Sequence, residues 1–142
     1  MSQNPSIETH EIQIEITETD IDQLNHVNNT VYLRWVQEAA VAHWYSSATK
    51  EETEKYIWVV VRHEIDYKYP ARLGDKIIVR TRVGTHNKNI FDRHTDIFRS
   101  EDMKLLAQAV TKWCPFDSKS MRPLRAGEEV IKRWSVSGPN VF

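Results

Sequence analysis

Cysteine, glycine and proline are scarce in this chain. Its 142 residues hold one Cys, four Gly and five Pro. The lone thiol, Cys114, excludes an intrachain disulfide framework and suits a reducing compartment; the cytoplasm is the expected location. No apolar run approaches the roughly 20 residues of a membrane span, so no membrane association is expected. The polar start, Met1-Ser2-Gln3-Asn4-Pro5, does not read as a secretory signal. A formal net charge of −1 supplies no field to gather nucleic acid, and none is expected as a partner. Gly-rich phosphate loops and a Ser nucleophile elbow are also missing. The histidines show no metal-ligand spacing, and no cofactor is expected.

The length fits a single domain, residues 1–142, large enough to bury a core. Residues 1–9 read as a loose tail and residues 118–142 as a C-terminal extension. From Glu11 to Thr17 the chain alternates, with Ile12, Ile14 and Ile16 on one face and Glu11, Gln13 and Glu15 on the other. That is a half-buried strand. A helix is predicted from Asn29 to Ser46, with Asn28 or Asn29 as its N-cap. Its few polar residues, Arg34, Gln37 and Glu38, cluster on one side, so the other sides must be largely wrapped. Lys50–Lys55 reads as a charged linker. Four strands follow: residues 57–67, ended by Pro70; 76–86; 90–99; and 104–116. Residues 123–134 suggest a short closing helix anchored by Trp134. One strand, one long helix and four strands joined by tight turns define an α+β protein, in which an antiparallel sheet of about five strands covers the helix.

The chemistry concentrates between the first strand and that helix. Thr19-Asp20-Ile21-Asp22-Gln23-Leu24-Asn25-His26-Val27-Asn28-Asn29 packs two carboxylates, an imidazole and four carboxamides into one short segment. The first turn of a helix leaves N–H donors unpaired, which favours negative charge on a substrate oxygen. Asp22 can serve as base or nucleophile, or merely hold a turn. His26 can pair with Asp22, orient a water or hold the loop. Asp20 is expected to be structural, fixing the loop by hydrogen bonds. Glu38 is expected to be solvated or paired with Arg34. Arg62, Arg72, Arg80, Arg82, Lys88 and Arg93 can receive phosphates, although alternating cations usually mark a solvated strand face. Cys114, followed by Pro115, reads as a buried structural thiol. Five Trp residues supply a large aromatic core and can form one wall of an apolar pocket.

The segment Asp20-x-Asp22-x-x-x-His26-Val27-Asn28-Asn29, with Tyr32-Leu33-x-Trp35 on the following helix, resembles the signature of hotdog-fold acyl thioesterases. It is similar to the 4-hydroxybenzoyl-CoA thioesterase-like group and to plant acyl carrier protein thioesterases. The likeness runs from about residue 10 to residue 130. Its second element is Asp66-Tyr67-x-x-Pro70-Ala71-Arg72-x-Gly74-Asp75, and Cys114-Pro115-Phe116-Asp117 falls where the family's last strand ends. Two positions depart. Many of these enzymes have Gly at Asn25, and the plant enzymes have Asn at Leu24.

The resemblance implies a hotdog fold and an acyl-CoA thioesterase with Asp22, His26 and Asn29 as catalytic candidates. Asp22 matches the acting carboxylate and the Asn29 amide the donor to the carbonyl oxygen. Asn28, Tyr32, Arg72 and Lys88 are the substrate-binding candidates. The thioester is carried by CoA or by an acyl carrier protein, and the protein is expected to be a homodimer or homotetramer with its site at the interface. The alternatives are a non-catalytic acyl-CoA-binding scaffold and a hydratase on the same fold; the His-containing helix motif expected of such hydratases is not found.

Overall fold

A computed structural model describes residues 8–135 of the chain. Five antiparallel strands form one sheet: β1 (Thr9–Glu15), β2 (Tyr56–Tyr67), β3 (Lys76–Asn87), β4 (Ile90–Arg99) and β5 (Lys104–Asp117). Their spatial order is β1-β3-β4-β5-β2, so β1 and β2 are the edges. The long helix α1 (Asn29–Ser47) lies against one face. Along β4, Phe91, Arg93, Thr95 and Ile97 are buried while the residues between them are half-buried. That alternation places one side of the sheet under the helix.

α1 buries Val31, Tyr32, Trp35, Val36, Ala39, Ala40, His43 and Trp44, pairs of neighbours recurring at every turn. Val31, Tyr32, Trp35, Val36 and Ala39 pack with Ile77, Val79, Ile97 and Leu106 into the main core. The open side of the helix is the one expected from Arg34, Gln37 and Glu38, and along it Val41 and Tyr45 also stay 50% and 66% exposed.

Several boundaries differ from the sequence reading, among them the start of the closing helix, at Glu128 rather than 123. The charged stretch read as a linker is a short helix, α2 (Lys50–Lys55), begun by a reciprocal capping box between Thr49 and Glu52. The Glu52 carboxylate is tied by two hydrogen bonds, both 2.8 Å, from the Arg133 guanidinium. β1 starts at Thr9, inside the expected tail, where it pairs with Arg82. It stops at Glu15 because the Thr17 N–H turns to the Asp20 carboxylate (3.0 Å) and opens a single 3₁₀ turn, Glu18–Asp20. Residues 1–7 of the expected tail and 136–142 of the expected extension lie outside the described residues.

The closing helix, α3 (Glu128–Trp134), seats Val130 and Trp134 in a second core with Trp44, Tyr56, Val83 and Phe91. The two cores thus divide the sheet. The first lies beneath the N-terminal part of α1 and the second beneath its C-terminal end. A bulge interrupts β3 between Val83 and His86. There the Thr85 N–H and hydroxyl both reach the Asp92 carboxylate at 2.9 Å. Gly84 makes this possible: a Cβ would collide with Asp92 and lie 2.8 Å from the His94 ring.

Candidate active site

The segment between the 3₁₀ turn and α1 is a tight loop closed on itself. Ile21 and Val27 form an isolated antiparallel bridge. Within it the Asp22 N–H donates to the His26 carbonyl (2.8 Å) and the Asn25 N–H to the Asp22 carbonyl (3.0 Å). Asn25 takes the left-handed conformation, φ +67°, which glycine adopts freely and asparagine better than other side chains. The departure from the family's Gly therefore preserves the turn.

The Asp22 carboxylate sits at the loop's centre. Its Oδ1 accepts from the Leu24 N–H (2.9 Å) and more weakly from the His26 N–H (3.3 Å). Its Oδ2 has no protein partner among the described residues. Half of the carboxylate thus fixes the loop and half is available to a substrate or water. His26 is joined to Asp22 through its backbone; the imidazole makes no contact with that carboxylate and is half-buried.

Asp20 behaves differently. It is 3% exposed and holds the Thr17 N–H on one oxygen and the Arg34 guanidinium (3.0 Å) on the other. Burial alone would raise its pKa, but these donors outweigh it and keep the carboxyl below the usual range. Its carbonyl also receives the Asn28 N–H (2.8 Å). Asp20 therefore fixes the junction of loop and helix, the structural part expected of it. Glu38 lies 3.6 Å from Arg34 on the open side of α1.

At the helix start, Asn28 is the N-cap: its carboxamide oxygen accepts from the Thr30 N–H (2.9 Å) and hydroxyl (2.8 Å). Asn29, the first helical residue, has neither its N–H nor its carboxamide engaged by protein among the described residues. Tyr32 is 2% exposed, and its hydroxyl accepts from the Ala71 N–H (2.9 Å); burial pushes its pKa up.

The second motif closes over the first. The Val27 N–H donates to the Ala71 carbonyl (2.9 Å), and the Tyr67 hydroxyl donates to the Asn29 carbonyl (3.1 Å). Between them lies a recess of about 380 Å³, lined by Asp22, Leu24, His26, Val27, Asn28, Asn29, Tyr32, Tyr67, Lys68, Tyr69 and Pro70. Five of the seven candidates, Asp22, His26, Asn28, Asn29 and Tyr32, are brought together there. Arg72 stands exposed just outside, its N–H on the Asp75 carboxylate (2.9 Å). Lys88 is not brought to the recess within this chain. It occupies the β3–β4 turn, roughly 35 Å along β3 from the end that adjoins the loop, by strand geometry. Tyr67, Lys68 and Tyr69 were absent from the sequence candidates. Asp66-Tyr67-x-x-Pro70 was the signal that could have found them. Cys114 is buried on β5, 3.7 Å from the Asn89 amide, and burial raises its pKa. That is the environment of a structural thiol.

A five-stranded antiparallel sheet on a single long helix, with a loop carboxylate at the helix N-terminus, defines a hotdog-fold protein with a carboxylate site. Residues 16–134 match the model of the thioesterase-like superfamily, and the chain belongs to that family. It is 30% identical over 131 residues to a chloroplastic palmitoyl-acyl carrier protein thioesterase of Gossypium hirsutum, covering 91% of this chain and 31% of that protein. It is 29% identical to the chloroplastic acyl-acyl carrier protein thioesterase ATL3 of Arabidopsis thaliana, covering 89% of this chain and 68% of the relative. The chain therefore spans about a third of the cotton protein and two thirds of the Arabidopsis one. Among solved structures, a 1,4-dihydroxy-2-naphthoyl-CoA thioesterase from Synechocystis superposes with a TM-score of 0.75 at 18% identity, over 88% of this chain and 96% of that one. No helix among the described residues is long and apolar enough to cross a membrane.

Proposed function

We propose that this chain hydrolyses an acyl thioester, adding water across the C–S bond to release a carboxylic acid and a free thiol. The observation that carries the reading is the state of Asp22: one carboxylate oxygen is locked by loop N–H groups, and the other is unpartnered in a residue lining the recess. That oxygen either takes a proton from an attacking water or attacks the thioester carbonyl to give an anhydride that water then opens. The carbonyl oxygen, gaining negative charge, sits on the unpaired N–H at the start of α1, with the Asn29 carboxamide beside it. Such preorganised donors typically contribute 10²- to 10³-fold in rate. Asn28 holds the helix start, and Tyr32 and Tyr67 form the recess floor and rim. His26 orients water or shapes the rim rather than pairing with Asp22. Arg72 receives substrate phosphate from outside the recess, whereas Lys88 reaches one only on another copy of the chain.

CoA is the carrier we favour. The carrier-protein alternative rests on the two plant relatives, and Leu24, at the position where the plant enzymes have Asn, speaks against a plant-type site. The protein acts as a homodimer or homotetramer, and its single buried thiol fits the reducing cytoplasm. Free-thiol release from short, long and aromatic acyl-CoAs, alongside the same acyl groups on a carrier protein, tests this. Turnover of acyl-CoAs is expected. Binding without turnover across the whole panel would establish the scaffold alternative instead.

A further inference from the structure

The second core holds a cavity that the Asp22 site does not use. It lies at the other end of α1, roughly 24 Å along the helix from Asn29 by α-helical rise, and has a volume of about 250 Å³. Its walls include Trp44, Tyr56, Trp58, Phe91, Trp113 and Trp134, and its mouth opens between the exposed Val41 and Tyr45 of α1 and Ile57 of β2.

Aromatic walls alone would be a core. One feature makes this one a site. The wall contains Arg93, only 6% exposed. Its Nη1 donates to His43 Nδ1 and to the Thr81 hydroxyl, both at 3.0 Å. No carboxylate pairs with it among the described residues. Burial draws its pKa down to about 10, so it stays charged at neutral pH. A buried cation facing neutral partners is normally avoided.

We infer that this cavity binds a small organic anion, an aryl or short alkyl body ending in a carboxylate that Arg93 receives. The volume sets the body's size. An apolar cavity of about 150 Å³ already takes benzene, so one ring or a short chain with its carboxylate fits, and a long fatty chain does not. Charge sets the head group: a carboxylate matches the guanidinium, whereas a neutral amide does not. The carboxylate is that of a free acid, because a short acyl chain held at Asp22 does not span the length of α1. The site itself does not depend on the reaction assigned to Asp22.

Tryptophan fluorescence of the full chain, titrated with benzoate and hexanoate and with benzamide and hexanamide, tests the inference directly. Benzoate or hexanoate should bind saturably and at least tenfold more tightly than its amide. Arg93→Met should reduce that difference to within twofold, while Asp22→Asn should leave it unchanged. If Arg93→Met does not fold, Arg93→Gln keeps a hydrogen-bonding side chain and removes the charge, and it should likewise bring acid and amide to within twofold. Equal binding of acids and amides overturns the inference, as does a lack of acid binding. A protein with no thioesterase turnover still answers the binding arm.

Discussion

Asp20 and Asp22 are two residues apart and do different work because their surroundings differ. Asp20 is buried and has donors on both oxygens; Asp22 is half-buried with one oxygen engaged. Asp22→Asn keeps the shape and removes the negative charge and basicity. It should lower kcat by about 10²- to 10⁴-fold with KM nearly unchanged, the signature of an interaction used in the transition state. Asp20→Asn should retain more activity but lose about 1–3 kcal/mol of stability, since the buried Arg34 contact weakens. Steady-state kinetics and denaturant unfolding of both folded variants check the pair; near-normal kcat in Asp22→Asn would remove it from the mechanism. Asn25 offers a separate test at this scale. A β-branched side chain pays for the left-handed conformation, so Asn25→Val should be about 1–2 kcal/mol less stable and slower in turnover, because the loop carrying Asp22 shifts. Asn25→Gly should fall within a few tenths of a kcal/mol of the parent. Equal stability of the Val and Gly variants in a urea titration would show that φ +67° is not maintained in solution.

His43 sits in the seam between α1 and the sheet, 1% exposed. Burial first, then the positive charge of Arg93 and the neighbouring His10, lower its pKa to about 3 from an ordinary 6.5. Arg93 donates to Nδ1, so the neutral ring carries its proton on Nε2, 3.7 Å from the exposed Glu8 carboxylate. The unfolded chain binds a proton at this histidine below pH 6.5 and the folded one does not. Its contribution to stability is therefore complete above 6.5 and falls progressively toward pH 3. Each pH unit is worth about 1.4 kcal/mol, so roughly 2 kcal/mol should be gone by pH 5. Asp20, with its folded pKa lowered, adds a loss only at more acidic pH, as it protonates. Denaturant melts at pH 7, 6 and 5 should show the decline, and His43→Gln should flatten it; a parent curve level from 7 to 5 would contradict the buried neutral ring. This seam also marks what local pattern can reveal. The alternation of β3, β4 and β5 and the apolar stripe of α1 are periodic, so these elements were legible to within a residue or two. α2 was not, because its charged sequence depends on Arg133, 81 residues away, for the contact that completes it. The loop motif disclosed Asp22 and Asn29 for the same local reason. The wall of Tyr67, Lys68 and Tyr69 reaches the recess only through sheet and loop contacts distant in sequence, and Lys88 was drawn in by its charge although β3 carries it to the far end.

The two sheet edges face the solvent on unequal terms, and assembly follows from the difference. β1 presents Glu11, Gln13 and Glu15 on its open face and Arg80 pairs with Glu11, charges of the kind that keep an edge from recruiting another strand. β2 is longer, at twelve residues, and offers Ile57 and Val61 to solvent at 36% and 53% exposure. Val61 stands at the bulge between Val60 and Arg62, out of register with β5. The uncovered line of α1, Val41 and Tyr45, is apolar as well. We propose that β2 pairs antiparallel with β2 of a second copy, extending the sheet. Antiparallel pairing brings the Tyr67 end of one β2, which borders the Asp22 recess, toward the Tyr56 end of the other. A recess formed mostly from one loop and one strand end would then gain a further wall, and turnover should depend on assembly. Light scattering at micromolar concentration should give a dimer or a dimer of dimers. Val61→Lys places a charge on the pairing edge and should shift the protein to monomer with at least tenfold lower kcat/KM. Gln13→Lys, the same charge on β1, should leave both the mass and the activity of the dimer in place. A parent protein that is monomeric and fully active would reject both the interface and its part in the site.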